Sequence, residues 1–204
     1  MSLQEFGLGC RRGTRAFHDA EDLAGRRVGQ VLRITQDLRE LFSGSSSILD
    51  IAAGSGEAVS WYRSLFPGVR LVCLERPTAK LHRSLARFAG LAHYRPFDGV
   101  AIPYANDSFD VVTGCGGLSA APPDQRPALL AEAYRVLKPG GLVILFEPKS
   151  AGLPARAAAR AVRDAGFHDT MVRYDGLVPL LPFGAEFHVV AFSPWFTNIA
   201  ARPR

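Results

Sequence analysis

The chain has 204 residues, which is an ordinary length for one globular domain. Hydrophobic residues make up 48% and charged residues 21%, so the composition excludes a mostly disordered chain. The formal net charge of +5 comes from 24 Lys and Arg against 19 Asp and Glu, with only short basic doublets such as Arg11-Arg12 and Arg26-Arg27. We therefore expect no nucleic-acid partner.

The cysteine pattern and the hydropathy of the chain bear on disulfides, metal sites and membrane spans. The three cysteines contain no CxxC pair and the five histidines have no ligand spacing, so we expect no disulfide framework and no metal site. The longest apolar runs, such as Leu142–Phe146, fall far short of the about 20 residues that a membrane-spanning helix needs. These features favour a cytoplasmic protein without a membrane span.

Residues 1–46 are predicted to form an N-terminal helical arm or cap. Within them, apolar residues recur at three- and four-residue spacing over Asp22–Phe42, which predicts one amphipathic helix. Residues 47–204 are predicted to form the core, and the whole chain is expected to be one domain.

From residue 47 onward, short apolar strands alternate with helical segments. Strands are predicted over Ser47–Ile51, Arg70–Leu74, His93–Phe97, Phe109–Thr113, Leu142–Phe146, Thr170–Tyr174 and Phe187–Phe192. Helices are predicted over Ala58–Phe66, Thr78–Phe88, Pro123–Leu137 and Pro154–Ala165. This alternation predicts an α/β three-layer sandwich, in which helices cover both faces of a mostly parallel, seven-stranded sheet.

The strongest local signal is the turn after the first predicted strand. Asp50 ends an apolar strand, and Ala52, Gly54 and Gly56 then form a small-residue turn that leads into a helix. In an open parallel sheet, ligands bind beyond the carboxyl ends of the strands, and small residues let the backbone approach them. The segment therefore indicates a ligand-binding turn.

Two further acids follow the next two strands. Glu75 comes 19 residues after Gly56, at the end of the second strand. A carboxylate there can accept hydrogen bonds from both hydroxyls of a ribose. Asp98 follows the third strand, where a carboxylate can accept a hydrogen bond from the amino group of an adenine ring. Three acids in register at strand ends favour a nucleoside-binding site.

Three ordered motifs resemble those of the class I S-adenosylmethionine (SAM)-dependent methyltransferases, in particular the small type 11 group. Leu49–Gly56 is similar to the family's glycine motif, with Ala52 in place of the first glycine. Phe97–Val112 is similar, without a gap, to its G-D-A-x-x-L-P-F-x-D-x-S-F-D-x-V stretch, and Glu132–Gly141 to its E-x-x-R-V-L-K-P-G-G stretch. The resemblance covers residues 47–192 and implies a Rossmann-like fold.

The resemblance also implies roles for ten residues. Those of the first turn would contact the methionine part of SAM: Asp50, Ala52, Gly54 and Gly56. Glu75 would hold the ribose hydroxyls, with Arg76 beside it. Asp98 and Gly99 would bind the adenine. Gly114 and Cys115, after the fourth strand, would contact the methionine end and face the acceptor.

The expected function is methyl transfer from SAM to a small, partly apolar acceptor, such as an aromatic, polyketide-like or quinone-like molecule. No residue is assigned as a general base, and the oligomeric state stays open. One alternative is a SAM-binding scaffold without methyl transfer, and another is methylation of tRNA or protein. A dinucleotide site fits less well, since Val59 stands where the third glycine of G-x-G-x-x-G would be.

Overall fold

The computed structural model describes residues 47–54, 56, 58–148, 152–175, 182–183, 186–187 and 195–203. The predicted N-terminal arm, 1–46, and its helix over Asp22–Phe42 lie outside the described residues.

A seven-stranded sheet forms the centre, in the order β3-β2-β1-β4-β5-β9-β6. Its strands are β1 Ser47–Asp50, β2 Arg70–Glu75, β3 His93–Pro96, β4 Phe109–Cys115, β5 Leu137–Pro148, β6 His168–Asp175 and β9 Trp195–Ala201. Strands β1 to β5 pair in parallel, whereas β9 runs antiparallel to both β5 and β6. The carboxyl ends of five strands therefore share one edge.

In the described part of the chain, five helices connect or follow these strands: α1 Val59–Leu65, α2 Ala79–Phe88, α3 Gly117–Ala120, α4 Arg126–Val136 and α5 Ala155–Asp164. Local signals fix their ends. The Thr78 hydroxyl accepts a hydrogen bond from the Lys80 amide (3.3 Å), which caps α2. A proline lies in the first turn of α4, where its missing N–H costs no hydrogen bond.

Both faces of the sheet are buried, because successive residues of each strand point to opposite sides. Along β5, Val143 and Leu145 pack in the core that includes residues of α3, α4 and α5. The intervening Ile144 and Phe146 pack in a second core, which includes residues of α1. The predicted three-layer α/β sandwich is confirmed.

The strand between β5 and β6, Trp195–Ala201, was not predicted. After its first residue, the predicted strand Phe187–Phe192 lies outside the described residues. Glu186–Phe187 (β8) pairs with Pro182–Phe183 (β7) in a separate two-residue hairpin. Residues 138–141 are part of β5, where Gly140 has a φ of +79° and its amide donates a hydrogen bond to the carbonyl of Arg202 (3.0 Å).

Candidate functional site

The turn after β1 is held by its own acid. Asp50 is 3% exposed, and its Oδ1 accepts a hydrogen bond from the Ala52 amide (3.0 Å). Gly54 follows with a φ of +60°, a left-handed conformation that favours glycine. Its carbonyl accepts a hydrogen bond from the Ser84 hydroxyl (3.0 Å), which ties the turn to α2.

Glu75 joins the end of β2 to the same turn. Its Oε2 accepts a hydrogen bond from the Gly54 amide (2.7 Å), and its Oε1 accepts one from the Arg76 amide (3.0 Å). The structure thus brings two of the predicted site residues, 21 positions apart, into direct contact. The Glu75 side chain is half-buried.

Asp98, Gly99 and Arg76 form a second group, after β3. Asp98 Oδ1 accepts hydrogen bonds from the amides of Val100 and Ala101 (both 2.8 Å). These bonds, helped by the nearby Arg76 charge, lower the pKa of the Asp98 carboxyl, which stays ionised in this exposed loop. The Arg76 guanidinium lies directly over the α-carbon of Gly99, whose φ is +101°.

Gly114 and Cys115 end β4 beside the first turn. Cys115 lies opposite Phe146 of β5 and is half-buried. The chain then turns at Gly116, with a φ of +70°, into α3. A Cβ on Gly117 would lie 3.0 Å from the Ala52 Cβ, so α3 abuts the turn after β1. All ten predicted residues therefore lie at the carboxyl edge of the parallel strands.

The glycines serve packing within the chain more directly than we expected. A Cβ on Gly56 would lie 2.6 Å from Phe88 Cδ2, one on Gly99 2.4 Å from an Arg76 nitrogen, and one on Gly114 2.9 Å from Ile51 Cγ1. At these three positions, the chain's own side chains fill the space that the missing Cβ leaves.

Glu147 is a residue of this edge that the sequence analysis missed. It follows the apolar run of β5 and is fully buried. Its two oxygens accept hydrogen bonds from the amides of Leu118 (3.0 Å) and Ser119 (2.9 Å). Burial raises the pKa of its carboxyl, although these bonds and the Arg126 charge oppose the shift. A carboxylate at a strand's carboxyl end was the available signal.

A second missed group lies beneath the turn. The hydroxyls of Tyr62 on α1 and Thr113 on β4 are hydrogen bonded (3.2 Å) in a buried position. Burial, followed by the Asp50 charge, raises the pKa of the Tyr62 phenol well above its usual value. This phenol therefore stays protonated and neutral beside the ionisable Asp50.

Within the described ranges, no three His, Cys, Asp or Glu side chains group closely enough to hold a metal ion. No helix of the described part is both long and apolar enough to cross a bilayer.

A comparison with family models decides the assignment. Residues 49–145 match the model described as "Methyltransferase domain". These residues form a class I SAM-dependent methyltransferase domain. The matched range begins in β1 and ends in β5, so it contains all ten predicted site residues.

Two curated relatives carry names from quinone biosynthesis. One is the "Ubiquinone/menaquinone biosynthesis C-methyltransferase UbiE" of Desulfotalea psychrophila, 29% identical over 71% of this chain and 61% of the relative. The other is the "Demethylmenaquinone methyltransferase" of Thermus thermophilus, 32% identical over 49% of this chain and 46% of the relative. The chain thus spans less than two thirds of the length of either relative.

The fold also matches solved methyltransferases. A SAM-dependent methyltransferase from Methanosarcina mazei superposes with a TM-score of 0.61 at 18% identity, over 77% of this chain and 92% of the other. At this identity, the likeness concerns the fold alone.

SAM is the cofactor of this family, and the donors and acceptors of the edge fit its nucleoside. A carboxylate offers about four lone-pair positions, and the two amide bonds to Glu75 use one on each oxygen. Each oxygen can therefore accept one further hydroxyl, as a ribose diol requires. Both amide bonds to Asp98 use Oδ1, so neither occupies the lone pairs of Oδ2, which suit an amine donor.

Proposed function

We propose that this chain transfers a methyl group from SAM to a carbon of a small, partly apolar, quinone-like ring. One observation carries the cofactor half of this proposal, namely the hydrogen bond between Glu75 and the turn after β1. It holds a carboxylate that can accept hydrogen bonds from ribose hydroxyls beside the glycine turn. The names of the quinone-biosynthesis relatives support the acceptor class.

We assign the ten edge residues to the parts of SAM as follows. Glu75 accepts the ribose hydroxyls, with Arg76 beside it, and Asp98 with the backbone of Gly99 binds the adenine. The turn residues bind the methionine part, which carries a positive amino group that suits the buried carboxylate of Asp50. The last pair, Gly114 and Cys115, lies between the methionine end and the acceptor.

SAM supplies an electrophilic methyl group on a sulfonium sulfur, so the hard chemistry belongs to the cofactor. The chain's own contribution is alignment and the exclusion of water. Hydrogen bonds within the turn hold it in one conformation, because Asp50 and Glu75 each fix one of its amides. We assign no general base.

Two further parts of the proposal concern residues mainly outside the described ranges. We propose that residues 1–46 form a cap over the core, and that the apolar segment 174–183 lines the acceptor pocket. A cytoplasmic location also stays a prediction.

Calorimetric titration tests the cofactor half. Wild type, Glu75→Gln and Asp164→Asn are titrated with SAM, S-adenosylhomocysteine and NADH. Glutamine can still accept from the Gly54 amide but cannot accept both ribose hydroxyls. Two hydrogen bonds to a charged group are worth about 1.5–3 kcal/mol each, so we expect SAM affinity to fall about 10- to 100-fold in Glu75→Gln. Asp164 is an exposed acid of α5, and its variant controls for the charge change.

The outcomes separate the alternatives. SAM binding that Glu75→Gln does not weaken would refute the ribose assignment. SAM binding without turnover over a panel of quinones, phenols and amines would favour a scaffold. Turnover on tRNA or protein, with none on the panel, would replace the acceptor class.

A further inference from the structure

One edge of the sheet carries a run of charge of a single sign. Residues 76–97 contain five Lys and Arg and no Asp or Glu, so this segment alone carries a formal charge equal to the +5 of the whole chain. It comprises Arg76, helix α2 and the edge strand β3. We call the exposed surface of this segment the basic edge.

All five basic side chains of this segment are exposed: Arg76, Lys80, Arg83, Arg87 and Arg95. Two exposed histidines, His82 and His93, lie among them. Strand β3 pairs with β2 alone within the described sheet, so the basic edge ends the sheet on this side. The neighbouring acids, Glu75 and Asp98, already hold backbone amides.

Apolar surface accompanies this charge. Leu85 of α2 is 43% exposed, the one large hydrophobic side chain so exposed among the described residues. Helix α2 is about 15 Å long, at about 1.5 Å per residue, so a leucine and three basic residues share a short exposed helix. Basic residues beside exposed apolar surface suit the headgroup layer of an anionic bilayer.

The aromatic residues of the basic edge argue against single-stranded RNA. Phe88, Tyr94 and Phe97 are all half-buried. The side chains that would stack on bases are therefore packed inward, where such stacking platforms are normally exposed. Phosphate-binding charge without exposed aromatic rings fits lipid headgroups better.

We propose that the basic edge is a docking surface for an anionic lipid bilayer. The basic groups of α2 and β3 contact lipid phosphates, and Leu85 enters the headgroup layer. This inference does not depend on methyl transfer. Docking would nevertheless bring the carboxyl edge of the sheet, which includes Arg76, close to apolar acceptors dissolved in the bilayer.

Vesicle sedimentation of the full chain tests the proposal. The vesicles are pure phosphatidylcholine, or phosphatidylcholine with phosphatidylglycerol, at low salt. The test variant is Lys80→Glu/Arg83→Glu, since acids in the first turns of α2 favour the helix and leave the fold intact. The matched control is Arg156→Glu/Arg160→Glu, which reverses two exposed charges on α5.

We expect wild type to bind the anionic vesicles and not the neutral ones, and to be released at about 0.5 M NaCl. Each basic residue near such a surface contributes about 1 kcal/mol, so the test variant should bind at least about tenfold more weakly. The control variant should bind within about threefold of wild type. A Leu85→Gln variant should bind more weakly with an unchanged salt dependence.

Three results would overturn the proposal: no preference for anionic vesicles, equal losses in the test and control variants, or binding of a single-stranded RNA probe in the absence of any vesicle binding. Thermal unfolding of each variant, followed by circular dichroism, checks that the fold is retained.

Discussion

Gly56 and Gly90 share a left-handed backbone conformation, but replacing them with alanine should destabilise the fold to different extents. Both have left-handed φ values, +84° and +80°. A Cβ on Gly56 would lie 2.6 Å from the Phe88 ring, whereas one on Gly90 would meet nothing within 4 Å. The first glycine therefore meets a conformational and a packing requirement, and the second meets only the former.

We expect Gly56→Ala to lower the free energy of unfolding by about 2–4 kcal/mol, the sum of a left-handed alanine and an overpacked contact. Gly90→Ala should cost about 1–2 kcal/mol, since only the first effect applies. Urea unfolding of both variants measures the difference. Equal losses would show that Phe88 moves aside freely.

Glu147 should leave a signature in the pH dependence of stability. Its carboxyl has a raised pKa in the folded state. Below the ordinary glutamate pKa of about 4.3, both states are protonated there. As the pH rises above that value, the unfolded carboxyl ionises first, so the folded state binds more protons and stability falls.

The free energy of unfolding of wild type, relative to Glu147→Gln, should therefore decrease as the pH rises from about 4.3 to the raised folded pKa, and then level off. Urea unfolding at a series of pH values measures this difference. A difference that increases with pH would mean that the Leu118 and Ser119 amides outweigh burial and lower the pKa.

The acids of the site could be predicted where the neighbouring sequence marked a strand end or a glycine turn. Asp50, Glu75 and Asp98 stand after strands and beside glycine turns, so strand pattern and spacing were sufficient to locate them. Glu147 also ends a strand, but its partners are amides of α3, a four-residue helix without sequence periodicity. Its role depends on tertiary contacts that no local pattern encodes.

At the scale of elements, α3 is held at both ends. Glu147 accepts from two of its amides, as described above. The Arg126 guanidinium donates to the carbonyls of Leu118 (3.0 Å), Ala121 (3.1 Å) and Ser119 (3.3 Å). A helix of four residues has little stability of its own, so these two side chains account for its persistence beside the glycine turn.

Arg126→Ala should raise hydrogen exchange of the α3 amides about tenfold or more, because removing partners of this kind costs roughly 1–3 kcal/mol. The control is Arg160→Ala, which removes only an exposed ion pair with Asp164 (3.6 Å). Hydrogen exchange followed by mass spectrometry measures both. Unchanged exchange in Arg126→Ala would assign the stability of α3 to Glu147 alone.

The strands differed in predictability for a physical reason. Strands β1, β2, β4 and the centre of β5 are apolar on both faces, so their sequences stand out from the helices. The last strand, Trp195–Ala201, carries Thr197 and Asn198 and lacks such a run. The predicted strand Phe187–Phe192 is more apolar, but the strand that pairs with β5 is Trp195–Ala201.

For the whole molecule, Arg202 connects separate segments at the end of the sheet where the parallel strands begin, opposite their carboxyl ends. Its guanidinium pairs with Asp107 (2.5 Å), donates to the carbonyls of Tyr134 (3.2 Å) and Leu137, and lies 4.8 Å from the centre of the Tyr134 ring. Its backbone also bonds to Gly140 and Gly141. One residue thus joins the end of β9 to the β3–β4 loop, α4 and β5.

Arg202→Ala should lower the free energy of unfolding by about 2 kcal/mol, since a mostly buried guanidinium loses several partners. The m-value should not change, because the unfolding surface stays nearly the same. Urea unfolding beside Arg163→Ala, an exposed arginine of α5, checks the result. A loss below about 0.5 kcal/mol would class the pair with Asp107 as an ordinary surface ion pair.

The insertion of β9 between β5 and β6 constrains the order of assembly during synthesis. Strand β6 ends at Asp175 and β9 begins at Trp195, yet β6 reaches the sheet only through β9. While the ribosome adds the intervening residues, the growing sheet ends at β5 with an unpaired, apolar edge. Such an edge is a site for pairing with other chains. Chaperone contact should therefore be greatest for nascent chains that have emerged between these two strands.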